Sequence, residues 1–257
     1  MTSQTLPATA PVTTAEYMAW RRDPPATHRA RREPPVGPDG SADAIMAIQD
    51  QQSVEHYAST LLRRDDVAER LFGTRGRVRF LKYYLVPSRW VVRADAVFLP
   101  RDGSAASILR VRAAEPEHDS NGAFAPATAD LFELAYERFT MRQAGTPVDR
   151  CLMLLLNPKH RSDLDALDLE EMFECHDVTR FIDRAPSRTA ATIAAAVAEE
   201  AVLAADYLQR DAIAGVELEI RDGFPEAVHE VLTPASRADV GRILGRATHA
   251  DGADDVG

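Results

Sequence analysis

The spacing of hydrophobic positions changes along the chain from a helical to an extended period. Between residues 43 and 63 apolar side chains recur mainly three or four positions apart, which predicts a helix with one buried face. Further along, residues 77–86, 90–99 and 108–113 form short runs rich in apolar and β-branched residues, separated by turn signals. Three strands joined by short turns predict an antiparallel meander.

A helix and a central strand are predicted after the meander. Residues 128–144 carry apolar side chains on one side and end at Gly145, which predicts a helix. Residues 151–156 form an unbroken apolar run, typical of a strand that is covered on both faces. A helix between the third and fourth strands allows them to run parallel. The order predicts an α/β fold whose mixed sheet, an antiparallel meander plus a parallel strand, is flanked by helices.

The two ends of the chain differ from this middle part. Residues 1–12 are rich in Thr, Pro and Ala and are expected to form a disordered leader, before a capping box, Thr13-x-x-Glu16, that predicts a short helix. Residues 24–40 contain several prolines and glycines and are expected to form a loop. We divide the remainder into a main domain, 13–220, a helical C-terminal extension, 221–247, and a mobile acidic tail, 248–257.

Composition and charge narrow the class of protein. Hydrophobic residues make up 45% and charged residues 27%, which excludes wholesale disorder and fibrous classes. No apolar run approaches the roughly 20 residues that cross a bilayer, and a secretory signal is absent, so a cytoplasmic protein without membrane contact is expected. The net charge of −10 is uneven, because residues 1–112 hold 17 Lys and Arg against 12 Asp and Glu. A basic first half could meet a polyanion, although a solvated surface explains it equally simply.

Familiar catalytic motifs are absent from the sequence. It contains no Gly-x-Ser-x-Gly, no P-loop, no Gly-x-Gly-x-x-Gly and no His-Glu-x-x-His. In the triplet Cys175-His176-Asp177 a thiol adjoins a base, but neighbouring residues of an extended segment point to opposite faces. Cys151 lies within an apolar run, where a thiol is usually a core residue. These two cysteines are too few for a disulfide framework or a four-thiolate metal site.

The candidate chemistry lies in the meander. Asp95 belongs to the second predicted strand, and the third carries Arg110 and Arg112, which share a face because they are two residues apart. Arg93, on the strand of Asp95, completes a set of three arginines that could bind nucleic acid.

This arrangement resembles the active site of RecB-like nucleases of the PD-(D/E)XK superfamily. There an Asp on one strand, with an acid and a Lys two apart on the next, holds Mg²⁺ and activates water for phosphodiester attack. Other segments are similar to CRISPR-associated RecB-like exonucleases and to an uncharacterised bacterial RecB-like family. These segments are 12–20, Gln52-x-Val54-x-x-Tyr57-Ala58, 131–139, 151–157 and 169–179. The resemblance covers roughly residues 12–220 and implies a restriction-endonuclease-like fold in DNA processing or antiphage defence.

The sequence departs from the family where the chemistry should be. Arg110 stands where the family places an acid, and Arg112 stands where it places the Lys. Arginine offers only donors and cannot coordinate a cation. Glu137 and Met141 replace the Gln and Tyr of the family's helix motif. Asp95 alone would hold Mg²⁺ poorly.

Many relatives also hold an iron–sulfur cluster through cysteines, and residues 21–24 and 212–225 of this chain contain none. Neither an iron–sulfur cluster nor another cofactor is therefore expected. Concerted loss of the cluster and the metal site is typical of a fold kept for binding. The first interpretation is a catalytically inactive subunit that binds a nucleic acid or a protein partner through Arg110 and Arg112, with Arg93 as a further nucleic-acid contact.

Two alternatives remain open. In the first, the protein is an active Mg²⁺- or Mn²⁺-dependent deoxyribonuclease, in which Glu133 or Glu137 joins Asp95 to hold the metal and Arg112 substitutes for the Lys. In the second, an arginine forms an ion pair with Asp95 that joins two strands, which leaves only a protein-interaction module.

Overall fold

The computed structural model describes residues 10–32, 42–159, 168–185, 187 and 190–209, with 42–49 described without side chains. The helices there are α1 Thr14–Arg22, α2 Pro24–Arg32, α3 Ala42–Leu62, α4 Asp65–Phe72, α5 Thr128–Gln143, α6 Leu169–Met172, α7 Thr179–Asp183 and α8 Ile193–Leu208. The strands are β1 Val12–Thr13, β2 Gly76–Val86, β3 Trp90–Pro100, β4 Ala106–Val111, β5 Val148–Leu156 and β6 Phe173–Asp177. Among these helices, none has the length and apolar content needed to cross a bilayer.

One mixed sheet of six strands forms the centre of the described structure. β2 and β3 form a long antiparallel hairpin, with Gly76 opposite Pro100 at one end and Val86 opposite Trp90 at the other. β4 pairs antiparallel with β3 and parallel with β5, and β6 then pairs antiparallel with β5. The short β1 lies parallel to the start of β3. The predicted α/β fold, a meander plus a parallel strand flanked by helices, is confirmed.

Helices cover both faces of this sheet. The α5-side core lies against α1, α5 and α8 and includes the buried side chains of Tyr17, Trp90 and Ile108. The α3-side core lies against α3 and α4, and in it Phe72 stacks on Phe98 at 4.1 Å between ring centroids. Alternate residues of β5 enter the two cores, as the unbroken apolar run predicts.

One helix was not expected. Residues 24–32, for which the sequence pattern predicts a loop, form α2. Asp23 caps its start, because its Oδ1 accepts a hydrogen bond from the backbone N–H of Ala26 at 2.9 Å. Pro24 and Pro25 occupy the first turn, where a helix does not need the N–H groups that proline lacks. The loop prediction is wrong because it treats Pro24 and Pro25 as residues that end a helix. It does not take into account that Asp23 can cap a helix that begins at Pro24.

Two shorter elements also differ from expectation. The sequence pattern of residues 168–173 predicts a short helical turn, but Phe173 begins β6. The pattern of residues 177–179 predicts an extended stretch, but Thr179 begins α7, and its backbone N–H donates to Asp177 at 3.0 Å. Phe173 belongs to a strand because it pairs with Leu156 of β5. The local sequence does not predict this strand, because β6 is too short to show a clear alternation of apolar and polar residues.

The expected domain boundaries are tested only in part. Val12, assigned to the leader, is fully buried in β1 and donates its N–H to the carbonyl of Arg89 at 2.8 Å. The remaining assignments, for residues 1–9, the C-terminal extension at 221–247 and the acidic tail at 248–257, lie outside the described residues.

Gly76 at the start of β2 is expected to tolerate no side chain. A Cβ there would overlap the ring of Phe98 and lie 2.6 Å from the carbonyl oxygen of Leu99. Gly76→Ala should therefore lower the free energy of unfolding by about 2 kcal/mol or more, measured by urea denaturation. The matched control, Gly103→Ala, meets open space and bears only the strain of its positive φ, about 1 kcal/mol. Equal losses in the two variants would contradict the packing described for this hairpin.

Candidate functional site

The site forms where β3 and β4 separate. Their regular pairing ends at Ala96 and Leu109, although β3 begins six residues before this point and β4 ends two residues after it. Beyond the last pair, the side chain of Asp95 replaces the missing main-chain partner, because its Oδ2 accepts a hydrogen bond from the backbone N–H of Val111 at 3.1 Å. Asp95 and Arg110 thus lie on neighbouring strands, as the meander predicts.

An irregularity in the hairpin sets the position of Asp95. Ala94 packs in the α5-side core, whereas Ala96, two residues further on, packs in the α3-side core. Leu81 of β2 and Asp95 of β3 both lie between the register pairs Phe80–Ala96 and Lys82–Ala94, and Leu81 has a φ of +49°. This left-handed conformation costs a leucine about 1–2 kcal/mol. Both strands therefore change their faces at this level, and Asp95 lies at the boundary between the two cores.

Gln51 of α3 supplies further hydrogen bonds to the main chain around the end of β4, where β3 no longer pairs with it. Its Nε2 donates to the carbonyl of Val111 at 2.8 Å, and its Oε1 accepts from the N–H of Ala113 at 2.9 Å. An amide side chain offers the same donor and acceptor as a peptide group, so it can continue a ladder. Sequence reasoning singled out the neighbouring Gln52, which is exposed, and missed Gln51.

Arg110 and Arg112 contact α5 through an arginine–carboxylate cluster, which comprises these two residues with Asp130, Glu133 and Glu137. Arg110 pairs with Glu133 and places its Nη1 2.6 Å from Oε1 of Glu137. Arg112 donates through Nε to Asp130 at 2.9 Å and lies 2.8 Å from Oε2 of Glu133. Glu133 therefore bridges the two guanidinium groups. The cluster joins the end of β4 to one face of α5.

Helical spacing explains why these carboxylates converge. Asp130, Glu133 and Glu137 lie three and four residues apart, so they share one face of α5. Sequence reasoning nominated Glu133 and Glu137 but as metal ligands, and it missed Asp130, although the same spacing indicates it. The predicted ion pair between an arginine and Asp95 does not occur in the described structure. The arginines join the sheet to a helix instead of joining two strands.

The cluster holds an excess of negative charge in a buried place. With Asp95, four carboxyl groups surround two guanidinium groups. Burial raises the pKa of Glu137 to about 7, and the Arg110 guanidinium opposes this rise. Burial also raises the pKa of Asp95, which Arg110 and the hydrogen bond from Val111 oppose.

A cleft of about 380 Å³ opens beside the cluster. Its remaining wall comes from the N-terminal residues of α1 and from the β2–β3 hairpin, where Tyr83 lies opposite Arg93 in the register. The cleft brings together all of the site residues named from the sequence: Arg93, Asp95, Arg110, Arg112, Glu133 and Glu137. Arg93 is exposed and forms no ion pair within the described residues. It is the arginine of the cleft that remains open to a ligand.

The Mg²⁺ or Mn²⁺ ion that the family resemblance implies does not fit these residues. Guanidinium groups of Arg110 and Arg112 hold Glu133 and Glu137, the carboxylates that would have to join Asp95. In the part of the chain that the structure describes, no group of three or more His, Cys, Asp or Glu side chains could hold a metal ion. The carboxylates of the cleft therefore do not form a ready set of ligands for a divalent cation.

The Cys175-His176-Asp177 triplet forms no common site. Burial raises the pKa of the Cys175 thiol to about 11, and His176 stacks on Phe124 at 3.9 Å between ring centroids. Asp177 instead accepts hydrogen bonds from Arg150 and from the start of α7. Cys151 is a buried core residue whose pKa burial raises to about 12, so neither thiol is a ready nucleophile.

Comparisons with models of protein families, with curated proteins and with solved structures found no match to this chain.

Arg110 is expected to matter more for stability than Arg112. Its side chain is 11% exposed against 29% for Arg112, so water cannot easily replace it beside the buried Glu137. Arg110→Met should lower the free energy of unfolding by about 3 kcal/mol, and Arg112→Met by about 1 kcal/mol, in urea titrations at pH 7. A larger loss for Arg112→Met would contradict the charge pairing described here.

Glu137 should make stability depend on pH. The folded state raises its pKa from an ordinary 4.5 to about 7, so folding favours the protonated form, and the stability gained below pH 4.5 is lost as pH rises through 7. Relative to Glu137→Gln, the wild type should lose up to about 3 kcal/mol between pH 4.5 and 8. Denaturant unfolding across this range measures the difference. Glu117→Gln, on an exposed loop, is the control and should keep the wild-type profile; a Glu137→Gln profile parallel to that of the wild type would refute the assignment.

Proposed function

We propose that this protein is a catalytically inactive nuclease-fold protein that acts as a binding subunit. The observation that carries the proposal is the arginine–carboxylate cluster. It occupies the part of the cleft where the resemblance to RecB-like nucleases predicts the metal ligands. Two guanidinium groups stand where the family has an acid and a lysine, and three helix carboxylates neutralise them.

Charge and geometry both argue against catalysis. Metal-assisted cleavage of a phosphodiester needs anionic oxygens free to place the cation against the phosphate. Here the carboxylate of Asp95 accepts a main-chain hydrogen bond, and those of Glu133 and Glu137 are held by Arg110. A divalent cation entering the cluster would meet a guanidinium charge at contact distance, where repulsion is strong in a poorly hydrated site. For the protein to be an active nuclease, Arg110 would first have to move away from Glu133 and Glu137.

The balance of charge in the cleft favours a protein partner over a polyanion. Three arginines line the cleft, but carboxylates on β3 and α5 offset their charge, so it presents no net positive field to nucleic acid. Arg110 and Arg112 already donate to carboxylates and have few donors left for phosphate. This supports binding of a partner protein as the function.

Contact with nucleic acid is a second candidate, which one observation favours. Arg93 lines the cleft and lies opposite Tyr83 in the register, and Tyr83 is 66% exposed. A guanidinium next to an open aromatic ring can hold a phosphate and stack on a base. Such binding would be sensitive to salt. A role in DNA processing or antiphage defence follows from the family resemblance alone.

The proposal predicts that the purified protein does not cut DNA or RNA with Mg²⁺ or Mn²⁺. The double variant Arg110→Glu with Arg112→Lys restores the family's acid and lysine, and it places a carboxylate beside Asp95 and Glu137. Its melting temperature should rise when Mn²⁺ is added, because a bound metal stabilises the fold, whereas that of the wild type should not change. Labelled single- and double-stranded substrates report cleavage. Wild-type cleavage that both a chelator and Asp95→Ala abolish would establish the active alternative.

A further inference from the structure

The half of the β2–β3 hairpin nearest its turn has one uncovered face. There Tyr84 of β2 and Trp90 of β3 pack in the α5-side core, so the residues that alternate with them point to the other side of the sheet. We call these residues the hairpin face, and they are Tyr83, Leu85, Val91 and Arg93. Tyr83 and Leu85 are 66% and 52% exposed, which leaves two large hydrophobic side chains side by side in the open.

The edge of the sheet is also open along this half of β2. Within the described residues β2 pairs with β3 alone, so alternate N–H and C=O groups of β2 have no strand to bind on the outer edge. The buried hydroxyl of Tyr84 has no hydrogen-bond partner there either, although buried polar groups usually have one. Lys82, whose Nζ lies 5.0 Å from the Tyr84 ring centroid, is exposed. An added strand with acceptors beside Tyr84 and Lys82 would satisfy all of these groups.

Helix α8 brings the chain to this edge. Gln209 directly follows α8, and its Nε2 donates to the carbonyl of Ser88, in the turn between β2 and β3, at 2.7 Å. One turn earlier in α8, Asp206 pairs with Arg89 of the same β-turn at 2.6 Å. The residues that follow 209 therefore start from the end of β2.

The sequence soon after this point has the pattern of a half-buried strand. Residues 216–220, Val-Glu-Leu-Glu-Ile, alternate strictly between apolar and acidic side chains, which predicts a strand with one apolar and one acidic face. We call them the C-terminal strand segment. The six residues 210–215 come before it and can span about 20 Å, whereas Leu85 lies only about 10 Å along the strand from Ser88. The segment can therefore reach the open edge.

We propose that the C-terminal strand segment adds to the open edge of β2 as a further, antiparallel strand. It starts at the hairpin turn and runs towards Gly76, since α8 delivers the chain to the turn. Val216 lies opposite Leu85, and Leu218 lies opposite Tyr83. The apolar side chains of the segment thus extend the hairpin face and cover part of its two exposed residues.

The acidic face of the segment fits the same register. Glu217 lies opposite Tyr84 and accepts a hydrogen bond from its hydroxyl, while Glu219 lies opposite Lys82 and forms an ion pair with it. A slip of one residue would turn both glutamates towards the hairpin face and the apolar side chains towards Lys82. Alternation and charge therefore select one register.

A second copy of β2 fits this edge less well. The sequence of β2 contains no Asp or Glu, so a second β2 offers no carboxylate to Lys82 or to the Tyr84 hydroxyl. The chain's own segment also starts beside the edge, which gives it a high effective concentration there. The inference goes beyond the proposed function and does not depend on the arginine–carboxylate cluster. It adds that any partner of the cleft that uses Tyr83 has to compete with this segment.

Disulfide trapping in the full chain tests the register. In Tyr83→Cys/Leu218→Cys the two thiols lie on directly opposite residues of one face, within the range that a disulfide bridges. Mild oxidation with diamide, followed by non-reducing peptide mapping, should show this disulfide within one chain. It should form at least tenfold faster than in the matched control Tyr83→Cys/Glu217→Cys, whose second thiol is on the other face. Equal rates in the two variants would overturn the proposal.

Charge exchange tests the pairing of Glu219 with Lys82. Added to Tyr83→Cys/Leu218→Cys, Lys82→Glu should slow disulfide formation at least threefold, because it places two carboxylates opposite each other. Adding Glu219→Lys should restore the rate. A rate that Glu219→Lys does not restore would overturn the register.

Hydrogen exchange tests the ladder without cysteines. The double variant Glu217→Pro/Leu218→Pro prevents pairing, because consecutive N–H groups of a strand point to opposite edges and one of the two prolines must block the ladder. Alternate amides of residues 82–86 should then exchange at least tenfold faster than in the wild type, by mass spectrometry of the full chain. The control Ala250→Pro/Asp251→Pro should leave them unchanged. Exchange that Glu217→Pro/Leu218→Pro does not accelerate would contradict the proposal.

The mass of the trapped species identifies the occupant. A disulfide that joins two chains, and that dilution of the protein suppresses, would assign the edge to the segment of a second copy and overturn the intramolecular pairing. A disulfide within one chain at every protein concentration supports it.

Discussion

Where β3 and β4 separate, the main chain of β4 and several buried charged groups have to be satisfied without a neighbouring strand. Asp95 and Gln51 supply the hydrogen bonds that β3 no longer provides. Arg110 turns to the opposite side and pairs with Glu133 and Glu137 of α5. Unpaired buried groups cost several kcal/mol each, so this opening is stable only because each partner is present. The cleft, the docking of α5 and the charge of the site all depend on it.

The carboxylates of the cleft already have partners within the protein, and this limits the chemistry that the cleft can perform. In a metal-dependent nuclease they would be free to hold a cation against the phosphate. Here the guanidinium groups of Arg110 and Arg112 form ion pairs with the carboxylates of α5. A guanidinium group is permanently charged and offers only donors, so it cannot take the place of a metal ligand. The same cluster that stabilises the junction between β4 and α5 therefore argues for binding over catalysis. Beside the cluster, the β2–β3 hairpin leaves Arg93 and Tyr83 exposed.

The sequence predicts well what depends on local pattern. Helical spacing from residue 43 and the three runs of the meander predict α3, β2, β3 and β4 to within two residues, and the i, i+2 spacing predicts that Arg110 and Arg112 share a face. The partner of the arginines was missed because it depends on which face of α5 docks on the sheet, a long-range choice that no local window contains. Gln51 was missed for the same reason, since the pattern favours its neighbour. α2 was missed because Pro24 and Pro25 begin a helix where they were interpreted as breaking one.

A double-mutant cycle between Arg110 and Glu137 tests the central claim most directly. The free energies of unfolding of the wild type, Arg110→Met, Glu137→Met and the double variant are measured in urea at pH 8, where the wild-type carboxyl is ionised. If the two groups neutralise each other within a buried cluster, the loss in the double variant should be smaller than the combined single losses by about 2 kcal/mol or more. Additive losses would contradict the account, because Arg110 would then be free to serve another partner and Glu137 free to hold a metal.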